Sequence, residues 1–287
     1  MSDTNMSYKN KVGLIGYPVE HSVSPAMHNA AFESLGLNDW HYELLLTERD
    51  AVEARIRTLV ADGYVGANVT VPHKQAVMPF LDSLSMAARG IGAVNTIVLD
   101  DGRLEGHNTD SAGFILDLQA HGVEVHGQRV LVLGAGGSAR AVVLGLANGG
   151  ATVTVIARRE DAAWQLREDV RKGVSRQLQV EVQPQSVLGK IVPTVDLIVN
   201  CTPVGMSPKV DESPLGDEIE IPHTCTLYDL VYRPAKTKLM RQAEAAGATV
   251  IGGLGMLIYQ GALAFELWTG QEAPVDVMRE AAEKALG

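Results

Sequence analysis

Hydrophobic positions fall into short apolar runs separated by amphipathic stretches, and this alternation predicts a layered α/β protein. Runs at 12–16, 41–45 and 66–71 predict strands, with helices expected at 25–35 and 49–60 between them. Short helices are expected around 76–81 and 85–89. Strands at 94–99 and 103–106 then face each other across Asp100-Asp101-Gly102, a hairpin turn signal. A helix at 111–121, with Phe114, Ile115 and Leu118 on one stripe, leads into a second series. Its strands fall at 129–133, 152–156, 178–182, 196–200, 226–230 and 249–251, spaced by helical segments of which 142–146 is the first. Two helices, 256–268 and 275–285, end the chain. The pattern predicts two α/β domains: a mostly parallel βα sandwich from 1–110 plus a returning 253–287, and a doubly wound sheet over 111–252.

Length and composition agree with this division and narrow the function. A chain of 287 residues with 46% hydrophobic and 20% charged positions has room for two cores. Its formal net charge of −10 and lack of a Lys/Arg-rich run argue against a nucleic-acid partner. Cys201 and Cys225 are too few for a disulfide framework and lack metal-ligand spacing, so two buried thiols are expected and no metal site. No apolar stretch is long enough to cross a membrane. The polar segment 1–10 lacks the apolar centre of a signal peptide and is expected to be an unstructured tail, which makes a cytoplasmic protein the expectation.

Chemistry enters at Gly134-Ala135-Gly136-Gly137-Ser138, which follows an apolar strand and opens a helix. The first glycine permits a tight turn, and the second lets the backbone approach a pyrophosphate at the helix N-terminus. Ala139 stands as a small substitute for a third glycine. This context marks the second domain as a Rossmann-type dinucleotide-binding unit. The next strand ends in Ala157-Arg158-Arg159-Glu160-Asp161. The arginines suit the 2′-phosphate of NADP. The two acids leave the ribose hydroxyl, and so NAD, open.

Upstream, Asn68-Val69-Thr70-Val71-Pro72-His73-Lys74 places a lysine just past a strand and a proline expected to open a helical turn. Asn108-Thr109-Asp110 places an acid at a helix start. Reducing a ketone by hydride leaves an alkoxide that needs a proton. A lysine can give it, held by a nearby carboxylate. Read singly, Lys74 is also a surface residue and Asp110 an N-cap. Ser24-Pro25 is also a cap followed by proline, although Ser22 and Ser24 at a helix start could hold a small carboxylate. Asn95 could close a strand bend, and Gln260 could lie on a solvated helix face.

The ordered set Ser22-Val23-Ser24-Pro25, Asn68 to Lys74, Gly92-Ala93-Val94-Asn95-Thr96, Asn108-Thr109-Asp110, Gly134 to Gly137 and Gly253-Leu254-Gly255-Met256 resembles the shikimate/quinate dehydrogenase family over nearly the whole chain. The resemblance implies an NADP-linked oxidoreductase that interconverts 3-dehydroshikimate and shikimate. It implies Lys74 and Asp110 as the catalytic pair, and Ser22 and Ser24 on the substrate carboxylate. Thr70, Asn95 and Gln260 would bind the substrate hydroxyls, with Tyr232 beside them. Gly134, Ala135, Gly136, Gly137 and Ser138 would hold the pyrophosphate, Ala157, Arg158 and Arg159 the 2′-phosphate, and Leu230, Gly253 and Met256 would line the nicotinamide. NADP-using members commonly read Asn-Arg-Thr where this chain reads Ala157-Arg158-Arg159, which leaves NAD an alternative. Quinate is an alternative substrate, since one hydroxyl is decided by pocket shape. A ligand sensor on the same fold would tolerate loss of the lysine and aspartate, and both are retained here. Monomer and homodimer are both expected forms.

Overall fold

The computed structural model describes residues 8–172 and 178–287. The unstructured tail expected at 1–10 falls largely outside the described residues, and Asn10 already belongs to a strand. The chain forms two compact units: Met1–Arg89, Ala93–Thr109 and Ile258–Gly287 in one, Gly90–Gly92 and Asp110–Leu257 in the other. Asp110 thus opens the second unit, and the return to the first comes at Ile258.

The first unit carries β1 (Asn10–Gly16), α1 (Ser24–Ser34), β2 (Trp40–Leu46), α2 (Val52–Thr58), β3 (Tyr64–Val69), β4 (Ser83–Leu84), α3 (Met86–Ile91), β5 (Thr96–Asp100) and β6 (Arg103–His107). Its sheet has the order β2-β1-β3-β5-β6-β4. β1 lies between β2 and β3, parallel to both, so it is covered on both faces and reads as a continuous apolar run. β5 pairs antiparallel with β3 and β6, which makes the sheet mixed. The hairpin pairs Asp100 with Arg103. Its two loop residues take positive φ, 46° at Asp101 and 76° at Gly102, as a type I′ turn demands. Ile15, Leu45, Ile56, Leu59, Val69 and Ile97 form the core beneath this sheet.

Two local expectations fail here. The segment after β3 turns at residues 74–77 and then makes only a 3-10 turn, Met78–Phe80. Pro79 has no N–H to continue an α-helix, and Pro72 lies in a turn rather than at a helix start. At α1 the capping position is Val23, without a side-chain cap, and Ser24 is already helical.

The second unit runs α4 (Asp110–Ala120), β7 (Arg129–Leu133), α5 (Gly137–Asn148), β8 (Thr152–Ile156), α6 (Glu160–Lys172), β9 (Val180–Val182), α7 (Leu188–Ile191), β10 (Leu197–Asn200), β11 (Thr226–Asp229), α8 (Lys238–Ala245) and β12 (Thr249–Gly252). The chain ends with α9 (Leu254–Thr269) and α10 (Val275–Leu286). α10 packs along α1. The second sheet is parallel throughout, in the order β12-β11-β10-β7-β8-β9. This is the doubly wound order, with its switch point between β7 and β10. α6 and α8, unnamed in the strand–helix reading, are highly charged. Ala163, Leu166 and Val170 carry the buried stripe of α6, and Leu239, Met240 and Ala243 that of α8. α8 is capped by Thr237, whose hydroxyl accepts the Met240 N–H at 3.1 Å.

Candidate active site

In the first unit, polar side chains gather where β1 and β3 end. The Ser22 hydroxyl donates to Ser24 Oγ at 3.1 Å and accepts the Ser24 N–H at 3.2 Å. The pair is therefore organised by its own turn, and Ser24 is not a helix cap. Gly16 ends β1, and a Cβ there would overlap the Thr70 and Val19 side chains, so only glycine lets Thr70 lie against this strand end. Thr70 is held by its N–H to the Ile15 carbonyl at 2.9 Å.

Asn95 is the hub of the cluster. Its Nδ2 donates to Thr109 Oγ1 at 2.8 Å and Gln260 Oε1 at 3.1 Å, while its Oδ1 accepts the Thr109 N–H at 2.8 Å and the Thr96 hydroxyl at 3.0 Å. The Thr109 hydroxyl donates to the Gln260 carbonyl at 2.9 Å. Asn68 continues the network, with Nδ2 donating to Asn95 O at 3.2 Å and Thr96 Oγ1 at 3.1 Å, and Oδ1 accepting from Tyr42 Oη at 2.9 Å. Asn68, Asn95, Thr96 and Thr109 are buried, where an unpaired amide or hydroxyl would cost about 1–3 kcal/mol. The sequence pattern alone does not mark Tyr42, Asn68, Thr96 and Thr109 as site residues. A buried asparagine in the apolar run of β3 was the available signal, because such a group must find partners.

Lys74 is partly buried in the turn after β3. Its carbonyl accepts the Val94 N–H at 2.7 Å, which stitches the turn to the segment leading into Asn95. On its other side, His73 Nε2 lies 2.7 Å from the Thr47 carbonyl and must carry the ring proton to bond it. Lys74 belongs to the first unit and Asp110 to the second. Asp110 is buried at the first position of α4, so it is inside the helix rather than its N-cap. It is close enough to β10 to act on Cys201. Burial pushes that thiol well above its ordinary range, and the Asp229 and Asp110 charges push it further. Cys225 is buried, and Cys201 is partly buried as a residue with its thiol enclosed, in line with the two buried thiols expected.

In the second unit the glycine loop sits at the switch point. Gly134 takes φ 109°, and a Cβ there would stand 3.2 Å from the Cys201 carbonyl of the loop after β10. Gly136 caps α5 in extended backbone, and a Cβ there would meet nothing within 4 Å. Ala135, Gly137 and Ser138 are partly buried around it, and Ala139 is fully buried against the sheet. At the end of β8, Ala157 is buried while Arg158 and Arg159 are exposed. Glu160 and Asp161 occupy the first turn of α6, where acids complement the helix dipole.

The loop after β10 is fixed by a buried acid. Asn200 Nδ2 donates to Asp229 Oδ1 at 2.9 Å, and Asn200 Oδ1 accepts the Thr202 N–H at 3.0 Å and hydroxyl at 2.7 Å. The Thr237 hydroxyl donates to Asp229 Oδ2 at 2.7 Å. Register brings two further positions together. Asp229 pairs with Gly252, so the next residues, Leu230 and Gly253, emerge side by side. A Cβ on Gly253 would overlap the Leu230 backbone, which makes glycine obligatory there. Met256 is buried one turn later. Tyr232 is partly buried, and burial raises its phenol pKa.

A separate unit rich in buried amides, together with a doubly wound sheet bearing a glycine loop at its switch point, defines an enzyme of the dinucleotide-dependent class. Family models agree: the shikimate dehydrogenase substrate binding domain matches residues 14–97, shikimate / quinate 5-dehydrogenase residues 117–209, and the shikimate 5′-dehydrogenase C-terminal domain residues 253–283. A shikimate dehydrogenase (NADP(+)) of Methanopyrus kandleri is 48% identical over 274 residues, 95% of this chain and 94% of its own length. The crystal structure of shikimate 5-dehydrogenase from Thermus thermophilus with NADP(H) and shikimate is 40% identical. It superimposes with a TM-score of 0.85 over 96% of this chain and 99% of that one. Quinate dehydrogenase from Corynebacterium glutamicum in complex with NAD is 31% identical, with a TM-score of 0.88 over 96% and 99% of the two chains. The chain belongs to the shikimate dehydrogenase family.

Proposed function

We propose that Lys74 and Asp110 are the proton-transfer pair of an NADP-dependent shikimate dehydrogenase. Ser22, Ser24, Thr70, Asn95, Tyr232 and Gln260 would bind its substrate. The reaction is the reversible reduction of 3-dehydroshikimate to shikimate, a CH–OH oxidoreduction in aromatic amino acid biosynthesis. The observation that carries the site assignment is the closed set of hydrogen bonds around Asn95, next to the turn that bears Lys74. A rigid array of amides and hydroxyls suits a polyhydroxylated ring, and a lysine beside it suits the ring ketone.

When bound, NADPH supplies the hydride. The Lys74 ammonium gives its proton to the developing alkoxide, so the oxygen leaves as a hydroxyl. In the reverse direction neutral Lys74 Nζ takes that proton. Asp110 would orient the lysine, and the Ser22–Ser24 pair would hold the carboxylate end of the ring. The loop residues fit a dinucleotide: the backbone at Gly136 is open to a pyrophosphate, and the exposed Arg158 and Arg159 are free to meet a 2′-phosphate. Glu160 and Asp161 have a helix-capping charge role, which weighs against their reading as ribose ligands.

Residence in the cytoplasm, as monomer or homodimer, belongs to the same proposal and accords with two unpaired cysteines. The test is a kinetic matrix of shikimate and quinate against NADP⁺ and NAD⁺, read by absorbance of the reduced nicotinamide. The expected result is the highest kcat/KM for shikimate with NADP⁺. No turnover in any cell sinks the assignment, and a preference for quinate moves the chain to the other branch of its family.

A further inference from the structure

Asp117 is an acid that the mechanism above does not use. It is fully buried in α4. Its Oδ2 accepts the Tyr228 hydroxyl at 2.5 Å, and its Oδ1 has no hydrogen-bond partner. The nearest group able to carry positive charge is His121, whose Nδ1 stands 3.5 Å from Oδ1 and 2.8 Å from the Asp117 carbonyl. Tyr228 is equally buried on β11, where the Phe114 ring meets it edge-on at 5.0 Å and 75°. The backbone amide of Met256 stands close enough to this phenol to offset part of the rise that burial gives its pKa. Gly255 lies directly over the carboxylate, and a Cβ there would overlap both Asp117 oxygens.

These contacts converge on one piece of backbone, the first turn of α9. Packing alone does not require a carboxylate there, because a leucine would fill the space without the cost of burying a charge. The positive end of the helix offsets part of that cost, and it does so only while the turn stays beside the acid. A buried polar chain with few alternatives selects one arrangement of the backbone it holds. The same turn follows Gly253, whose own backbone presses on Leu230.

We infer that Asp117 and Tyr228 are positioning residues that fix the first turn of α9, and with it Gly253 and Met256, against the nicotinamide half of the dinucleotide. This rests on the reading that Gly253 and Met256 line the nicotinamide. Recognition of the dinucleotide is then divided. The glycine loop and the arginines hold its phosphates, and a buried acid–phenol pair sets how closely its reactive ring is held.

The test compares dissociation constants for NADP⁺ and for 2′-phospho-ADP-ribose, which is the same molecule without nicotinamide. Proteins compared are the wild type, Tyr228→Phe, Asp117→Asn, Asp117→Ala and Met256→Ala, with melting temperatures recorded for each. Tyr228→Phe is expected to weaken NADP⁺ about tenfold, the size of one ordinary hydrogen bond, and to leave 2′-phospho-ADP-ribose within about twofold. Asp117→Asn keeps an acceptor for the phenol and retains most of the NADP⁺ affinity, whereas Asp117→Ala shows the same split as Tyr228→Phe. If Tyr228→Phe strands the buried charge and does not fold, Asp117→Ala removes that charge and carries the comparison. Equal weakening of both ligands, or unchanged NADP⁺ affinity in a folded variant, overturns the inference. Met256→Ala separates the two levels. If it selectively weakens NADP⁺ while the Asp117 and Tyr228 variants do not, only the positioning role fails. If none of the variants is selective, the placement of nicotinamide at Met256 fails as well.

Discussion

The carboxyl ends of β1 and β3 are crowded with amide and hydroxyl side chains bonded to one another, whereas the carboxyl end of β7 offers little but backbone. Around Asn95, the bonds to Thr109, Gln260 and Asn68 join separate stretches of chain. Around Gly134 and Gly136, the decisive feature is a missing Cβ. A side-chain cluster can discriminate between ring hydroxyls, because each rejected analogue leaves a buried polar group unpaired. A backbone cradle recognises a pyrophosphate, which many enzymes share. On the proposed function, the first region selects the particular substrate and the second the cofactor class.

Five substitutions press on this contrast. The largest effect is expected from Lys74→Ala, which should lower kcat by about 10³-fold while the protein still folds. Steady-state kinetics and thermal melting check it, and a kcat close to wild type removes Lys74 from proton transfer. Next comes a pair of glycines. Gly136→Ala meets no neighbour and keeps an ordinary φ of −80°, so it should melt normally yet weaken NADP⁺ about 50-fold, the scale of one misplaced methyl in a tight site. Gly253→Ala should instead lose about 2 kcal/mol of stability, because its Cβ would overlap the Leu230 backbone. If the two behave alike, the distinction between a ligand-facing and a packing glycine is lost.

Asn68→Ala tests the other side of the comparison. It leaves the Tyr42 hydroxyl without its acceptor and Thr96 Oγ1 without a donor, at a cost of about 2 kcal/mol in denaturant unfolding. An unchanged unfolding midpoint would mean that the network is dispensable to the fold.

A last substitution concerns His28, which is fully buried, stacks on Tyr42 at 4.5 Å, and has no hydrogen-bond partner on either ring nitrogen. Burial lowers its pKa from 6.5 to about 3. Between these values the unfolded chain takes up a proton that the folded chain refuses. Its contribution is thus fully present above pH 6.5 and is lost as pH falls toward about 3, with a limiting slope of about 1.4 kcal/mol per pH unit. His28→Phe should flatten the melting temperature over that window, and an equally steep profile in the variant would assign acid sensitivity elsewhere.

Much of this molecule is legible along the chain, for reasons that differ by region. β1, β7 and β10 are buried on both faces, so they stand out as continuous apolar runs, and Asp101-Gly102 announces its hairpin through the φ values that turn requires. α6 and α8 are harder, because three buried positions among many charges give a weak stripe. The turn bearing Lys74 reads as helical because Pro72 suits a helix start, but Pro79, itself plain in the sequence, lacks the N–H that an α-helix over 76–81 needs. Ser24 and Asp110 look like caps because serine and aspartate favour that position. Each instead sits inside its helix, and Ser24 is engaged by Ser22.

The sequence by itself determined the strand–helix alternation, the glycine loop and the ordered motifs that mark the family, because these depend on residues close together in the chain. Only the tertiary structure decided that Asn95 meets Gln260 across 165 positions, that Leu230 and Gly253 emerge side by side, and that Asp117 lies under Gly255 with Tyr228. Those contacts arise from strand register and from α9 closing onto residues far upstream. A buried amide or carboxylate records in the sequence that it needs a partner, but the partner's identity is written in the fold.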